Sequence, residues 1–396
     1  MIDQRAQSRI RPGWLSAAAY AGMFGFGIVM ALLGAVLPLV AHRLQFDLSH
    51  AGDLFLAMNA AMLVTTFALG LVVDRFGHKA PLVVAPLFVA AALGLISRVT
   101  TFGGLVAALL FLGIGGGALN QVTNTLIADL HEDVRKKRAQ LNTLGIFFGF
   151  GAVFVPFTIG SLLSSLGLGR ILHLALALSL VPTMLSIPLV FPPPRQQEGL
   201  ALTEAGGIAR QPLVLAFSLL LFFESGNEFI LGGYLTTYLT RDLRATISVA
   251  SYLLAAYWGA LMLGRAILSR ATLHKSGGSV ILASTLAVAA SMILLLTARS
   301  ILVAAISVIL LGFSITLIFP TVLGLAGSSY VRHSGTVFGI LIGIALAGGM
   351  TLPWVVGKLA EGWGIRMGLF VVVVNALAVF GFQLVAKKLL PNEKDT

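Results

Sequence analysis

Apolar residues fall in stretches of 18 or more that recur from Trp14 to Val385, separated by short charged or Gly/Pro-rich breaks. Each stretch is long enough to cross about 30 Å of hydrocarbon as an α-helix. The strands of a membrane barrel are about ten residues long and alternate in polarity, so this pattern excludes one. Cutting the chain at its breaks predicts twelve helical spans, over residues 14–41, 51–73, 80–98, 103–128, 139–163, 171–191, 212–238, 247–269, 279–298, 301–326, 336–357 and 366–386. The first span is too long for a signal-peptide core and no small-residue cleavage site follows it, so it is expected to be retained. After the sixth span comes FPPPRQQEGLALTEAGGIARQP, whose prolines, glycines and charges cannot continue a membrane helix. That segment predicts a six-helix half over 1–191, a cytoplasmic linker over 192–211 and a second six-helix half over 212–396.

The two halves share a spacing. Gly151, Pro156, Gly160 and Gly167 in the fifth span and its exit match Gly348, Pro353, Gly357 and Gly364 at the eleventh, because 348 − 151, 353 − 156, 357 − 160 and 364 − 167 all equal 197. Four matches in one register point to a duplicated six-helix unit. Parallel repeats of this kind hold a substrate near the bilayer midplane between halves that rock to give alternating access.

Composition agrees with a membrane protein: 58% of residues are hydrophobic and only 10% charged, against about a quarter charged in soluble domains. The net charge of +11 is explained by topology. Of the 26 Lys and Arg, 18 fall on the side that holds the N-terminus, leaving 26 − 18 = 8 on the other. The positive-inside rule then places both termini in the cytoplasm, with no role in nucleic-acid binding. The chain has no cysteine, which excludes disulfides and thiolate metal sites. No Walker A sequence, zinc-ligand spacing or serine hydrolase elbow occurs, so neither an enzyme nor a cofactor is expected. The GIGGG run at 113–117 lies inside an apolar helix with no strand before it, and suits close helix packing.

One span is unlike the rest. LFFESGNEFILGGYLTTYLT, residues 221–240, carries Glu224, Asn227 and Glu228 close to the middle of its predicted helix. Positions i, i+3 and i+4 share a helix face, so the three form one polar stripe. A carboxylate turned to lipid there costs several kcal/mol, and the stripe is expected to face the space between the halves. The bland alternative is permanent pairing with a basic residue such as Arg265 on the eighth span.

The loop after the second span reads GLVVDRFGHK, with Gly70, Asp74, Arg75, Gly77, His78 and Lys79. It resembles the G-x-x-x-D-R-x-G-R-[RK] signature of the major facilitator superfamily, with His78 in place of an arginine. Other stretches are similar to the fucose permease branch, which also looks like the sodium-glucose transporters of animals: Asn124 in a glycine-rich fourth span, Arg138 and Asn142 entering the fifth, Gly226-Asn227-Glu228, Tyr257-Trp258-Gly259 and Phe319-Pro320-Thr321. The resemblance implies an all-α membrane protein of twelve helices in two pseudo-symmetric bundles, the major facilitator fold. It also implies uptake of a monosaccharide or polyol, a gate on the cytoplasmic side built from Gly70, Asp74, Arg75, Lys79, Asp129 and Arg138, and cation coupling. That branch looks to its proton with acids in spans 1 and 4. Here the span 4 position is Asn120, and span 1 has no ionisable residue but Tyr20, which throws H+ or Na+ coupling onto Glu228, with Glu224 second.

The amides of Asn120 and Asn124 suit sugar hydroxyls, since each desolvated hydroxyl needs a partner. Asn227, Tyr257 and Trp258 complete the candidate substrate site; Asn59, Gln121, Asn142 and Trp354 rank below them, and Asn375 and His173 read as structural. The expected protein is therefore a monomeric secondary transporter of the bacterial inner membrane, whose partners are a small solute, an H+ or Na+ ion and the bilayer. An exporter of amphipathic drugs or lipids on the same fold is the alternative, with a cavity rich in some of the 25 phenylalanines. A transport-dead sensor would need a larger cytoplasmic output segment than these termini and this linker offer.

Overall fold

The computed structural model describes residues 11–390 except 131–132, 194–201, 272–274 and 331–332. The described residues form fourteen helices and no strand: α1 (Pro12–Leu44), α2 (Leu48–Phe76), α3 (Lys79–Arg98), α4 (Phe102–Leu130), α5 (Val134–Ser179), α6 (Val181–Ser186), α7 (Leu202–Ala209), α8 (Pro212–Arg241), α9 (Ile247–Ala271), α10 (Gly277–Thr297), α11 (Ile301–Ile315), α12 (Ile318–Ser329), α13 (Ser334–Trp363) and α14 (Ile365–Leu389). Eleven helical runs among them are long and apolar enough to cross a bilayer. The longest, Ala139–Ser186, has 48 residues. At 1.5 Å per residue it would extend about 72 Å, more than twice the hydrocarbon thickness. Its backbone turns at Gly167, where φ is 73° and ψ 159°, so this one run carries the two spans expected over 139–163 and 171–191. The molecule is an all-α integral membrane protein.

Proline sets the remaining irregularities. The tenth span is divided at Thr316–Leu317, between α11 and α12. Pro320 lacks an N–H and its ring crowds the carbonyl four residues back, which is that of Thr316. The Thr316 hydroxyl donates instead to the Leu261 carbonyl at 2.7 Å. The sixth span is divided likewise, with Pro182 in the first turn of α6. Within the segment expected as linker, residues 202–209 form α7, far too short to cross a membrane.

The chain separates into two compact units. Unit 1 holds α1, α2 from Ala57 onward, α3 to α6, and Ile247–Ala255 of α9; unit 2 holds Asp47–Leu56 of α2, α7, α8, α9 from Ala256 onward and α10 to α14. The two repeat each other in detail. In unit 1, α5 meets α1 so closely that a Cβ on Gly151 would strike the Phe24 carbonyl; in unit 2, α13 meets α8 so that a Cβ on Gly348 would strike the Phe222 carbonyl. A Cβ on Gly113 of α4 would meet the Met58 carbonyl and the Ala61 methyl, and one on Gly312 of α11 would meet the Tyr257 carbonyl and the Ala260 methyl. All three members of that second set are related by 199 residues (312 − 113, 257 − 58, 260 − 61). Small residues let membrane helices approach until dispersion and Cα–H···O contacts accumulate, which is the chief attraction left when lipid is as apolar as the helix surface. Gly364 repeats the Gly167 turn with φ 83° and ψ 159°.

Candidate functional site

The acidic stripe lies in unit 2. Helix α8 runs from Pro212 to Arg241, so its midpoint falls between Gly226 and Asn227 and the two glutamates flank it. Glu224 is 1% exposed and Asn227 3%; Glu228 is half-buried. Facing them from α9 is a second stripe, Tyr257 and Arg265, eight residues and about two turns apart. Tyr257 and Trp258 are 0% and 1% exposed. The edge of the Trp258 ring packs against Gly232, which has no side chain to hold it off, and this contact keeps α9 close to α8. The Arg265 charge acts on both carboxylates, and the Tyr257 hydroxyl lies in the field of all three groups.

Satisfaction is incomplete in this cluster. Glu224 Oε2, the Tyr257 hydroxyl and Arg265 Nε are buried and make no hydrogen bond. Buried polar atoms in membrane helices are expensive to leave unpaired, which makes these three candidate contacts for a ligand. Asn227 is otherwise engaged: its Oδ1 accepts from Asn375 Nδ2 of α14 at 2.9 Å. Asn375, expected to be structural, thereby fixes the rotation of α8 about its axis, and Asn227 serves α14 before it serves any solute.

The fourth-span amides lie in unit 1. Asn120 and Asn124 of α4 are half-buried and linked: Asn124 Nδ2 donates to the Asn120 carbonyl at 2.8 Å and to Asn120 Oδ1 at 3.1 Å. That leaves both side chains with acceptors to offer. Asn59 is buried.

Unit 1 also holds the signature loop. Lys79 Nζ donates to the carbonyls of Ile187 and Leu189, both at 3.0 Å, tying the start of α3 to the residues that follow α6. His78, where the signature has arginine, is buried at the start of α3 with Nε2 3.4 Å from Asp129 Oδ2. Arg75 is exposed, its guanidinium 5.6 Å from the centre of the Phe76 ring. A Cβ on Gly70 would meet Gln121 Nε2 at an ordinary van der Waals distance, so the glycine is not held there by crowding. The side chains of Asp74 and Arg138 lie outside what the structure describes.

A further polar cluster escaped the sequence. In unit 2, Lys358 of α13 donates to Ser49 Oγ at 2.7 Å and lies 3.2 Å from Asp53 Oδ1. Trp354 Nε1 donates to the same carboxylate at 2.9 Å. Trp354 is thus a hydrogen-bonding partner of the first turns of α2. The pairs lie 301 to 309 residues apart in sequence, and no local signal joins them.

The Major Facilitator Superfamily model matches residues 19–339, most of the chain. This chain belongs to that superfamily. A glucose/galactose transporter of Brucella abortus biovar 1 (strain 9-941) is 24% identical over 382 residues, covering 92% of each chain. A sodium-dependent glucose transporter 1A of Mus musculus is 25% identical, covering 86% of this chain and 88% of its own. Among solved structures, a point mutant of the nucleoside transporter NupG superposes with a TM-score of 0.79 at 15% identity, covering 96% of this chain and all of its own. A point mutant of the E. coli fucose:proton symporter FucP gives 0.66 at 17%, covering 94% and 98%. The family expected from GLVVDRFGHK and the branch expected from the later motifs agree with these likenesses, and the fold is that of the major facilitator transporters.

Proposed function

We propose that this transporter moves a monosaccharide or related polyol by alternating access, coupled to H+ or Na+ at the acidic stripe of α8. The observation that carries the reading is the cluster of Glu224, Glu228, Tyr257 and Arg265, set at the middle of a membrane helix with three buried polar atoms unpaired. A protein that only needed to be stable would fill this space with apolar groups. Glu228 is the less buried of the two acids and the one placed to exchange its ligand; Tyr257, Trp258 and Asn227 flank it. The relatives named for glucose and galactose support a sugar, and the acceptors of Asn120 and Asn124 suit hydroxyl donors. The membrane is the bacterial inner membrane, with both termini cytoplasmic and the protein a monomer. The cytoplasmic gate consists of Gly70, Asp74, Arg75, Lys79, Asp129 and Arg138, with Lys79 and the His78–Asp129 pair holding its unit 1 face rigid.

The test is uptake of a labelled sugar panel, beginning with D-glucose and D-galactose, into proteoliposomes under pH or Na+ gradients. Saturable, gradient-driven accumulation of one of them is expected. Export of hydrophobic dyes with no sugar movement would replace this reading with that of an amphipathic exporter.

A further inference from the structure

Gln383 lies about two turns before the end of α14, 0% exposed, with neither Oε1 nor Nε2 in a hydrogen bond. It is the one side-chain amide among the described residues with both polar atoms buried and unpaired. An amide offers two donors and two lone pairs, and burying it unmet is costly. A methionine would fill the same volume without that cost. The amide is aimed at the N-terminus of another helix. A Cβ built on Gly278 would lie 2.9 Å from Gln383 Nε2, which puts the amide against the first turn of α10. The leading N–H groups of a helix have no acceptor within it. The N-cap Ser276 Oγ takes the Ser279 N–H at 3.4 Å, and those of Gly277 and Gly278 still need an acceptor from outside the helix. This turn holds no acidic residue, and the helix dipole makes its end positive. Lys275, just before the N-cap, is exposed, as is Lys387, one turn beyond Gln383 on the same face of α14. In unit 1 the repeat position, 278 − 79 = 199, is Lys79, whose ammonium is spent on the Ile187 and Leu189 carbonyls. In unit 2 a glycine leaves that place bare.

We propose that Gln383 and the first turn of α10 form a binding site for a phosphate group, carried either by an anionic phospholipid or by free phosphate. The N–H groups of Gly277 and Gly278 and Gln383 Nε2 donate to the phosphate oxygens, as helix N-termini do to anions elsewhere. Lys275 and Lys387 add positive charge from the exposed side, where their ammonium groups act as point charges on the phosphate. A hydroxyl on phosphorus, or on a headgroup glycerol, donates to Gln383 Oε1, so the ligand meets both ends of the amide. The bound group then ties α10 to α14 at one end of unit 2. This site is separate from the α8 stripe and holds whatever solute the protein moves.

Thermal unfolding of the delipidated full-length protein in detergent tests this. One arm titrates inorganic phosphate against chloride at constant ionic strength. The other titrates phosphatidylglycerol in mixed micelles against the diacylglycerol of the same chains, which lacks the phosphate. The parent is expected to melt at rising temperature as one of the two phosphates is added, because a ligand that binds only the folded state stabilises it. Stabilisation by inorganic phosphate identifies a soluble ligand, and stabilisation by phosphatidylglycerol alone identifies a lipid headgroup. Gln383→Met should melt at or above the parent when neither is present, since its unpaired amide is gone, and should lose the phosphate-dependent rise. Lys387→Gln, at an exposed position, should fold normally and need a several-fold higher phosphate or lipid concentration for the same rise, which keeps the test decisive if Gln383→Met does not fold. Three results overturn the proposal: no rise in the parent with either phosphate, an equal rise in Gln383→Met, or an unliganded Gln383→Met that melts below the parent, which would make the amide a structural cap of α10.

Discussion

Asn375 reads as structural from its position in the last span, and its value comes from what it touches. Its Nδ2 is the partner of Asn227 Oδ1 at 2.9 Å, one helix position from Glu228. Replacing it by alanine leaves that oxygen buried and unpaired, which costs about 1 kcal/mol or somewhat more. Asn375→Ala is therefore expected to lower the detergent melting temperature by a few degrees and to weaken cation-dependent uptake, because α8 can then rotate; an unchanged melt and unchanged uptake would remove Asn375 from the site. Asp47, outside the membrane spans, makes a pH-dependent contribution. Its carboxylate accepts the His50 backbone N–H at 3.1 Å and contacts the His50 ring, and these contacts, the backbone one foremost, hold its pKa below the ordinary value. A lowered folded pKa means the stabilisation of the first turn of α2 is complete above the usual carboxylate pKa of about 3.9 and is lost as pH falls through the lowered value. Asp47→Ala should lower the melting temperature slightly at neutral pH, as loss of an N-terminal helix cap does, and the difference from the parent should vanish in strong acid.

Among the elements, the helices follow from length and polarity, and their breaks follow from particular residues. Gly167 and Gly364 adopt a backbone conformation open essentially to glycine alone. Gly167→Ala and Gly364→Ala should each cost about 1–3 kcal/mol and, since the two turns are repeats, should do so by similar amounts; a loss at one and none at the other in thermal unfolding would argue against equivalence. The offset of 197 makes this pairing legible from the sequence, and the 199-residue relation of Met58, Ala61 and Gly113 to Tyr257, Ala260 and Gly312 extends it. The acidic stripe is equally legible, because charges are rare in apolar spans and i, i+4 spacing fixes their face. The partners are not. Nothing local to Asn227 names Asn375, and nothing local to Trp354 or Lys358 names Asp53 and Ser49, because those bonds join residues 148 to 309 positions apart. The short α7 and the division of the tenth span depend on the balance between helix propensity and proline, which periodicity alone does not weigh.

For the whole molecule, the proposed coupling uses charge buried in unit 2. Because the sequence has no cysteine, single cysteines report access against a clean background. Asn120→Cys and Asn124→Cys, at half-buried positions of unit 1, should react with a water-soluble maleimide, and the transported sugar should slow that reaction; reaction indifferent to every sugar in the panel would exclude these amides from the site. Coupling through α8 is read out by the steady-state ratio of internal to external sugar in proteoliposomes carrying Glu228→Gln under the gradient that drives the parent. A ratio of one with sugar exchange retained is the expected result, and a ratio as high as the parent's would contradict a coupling role for the acidic stripe.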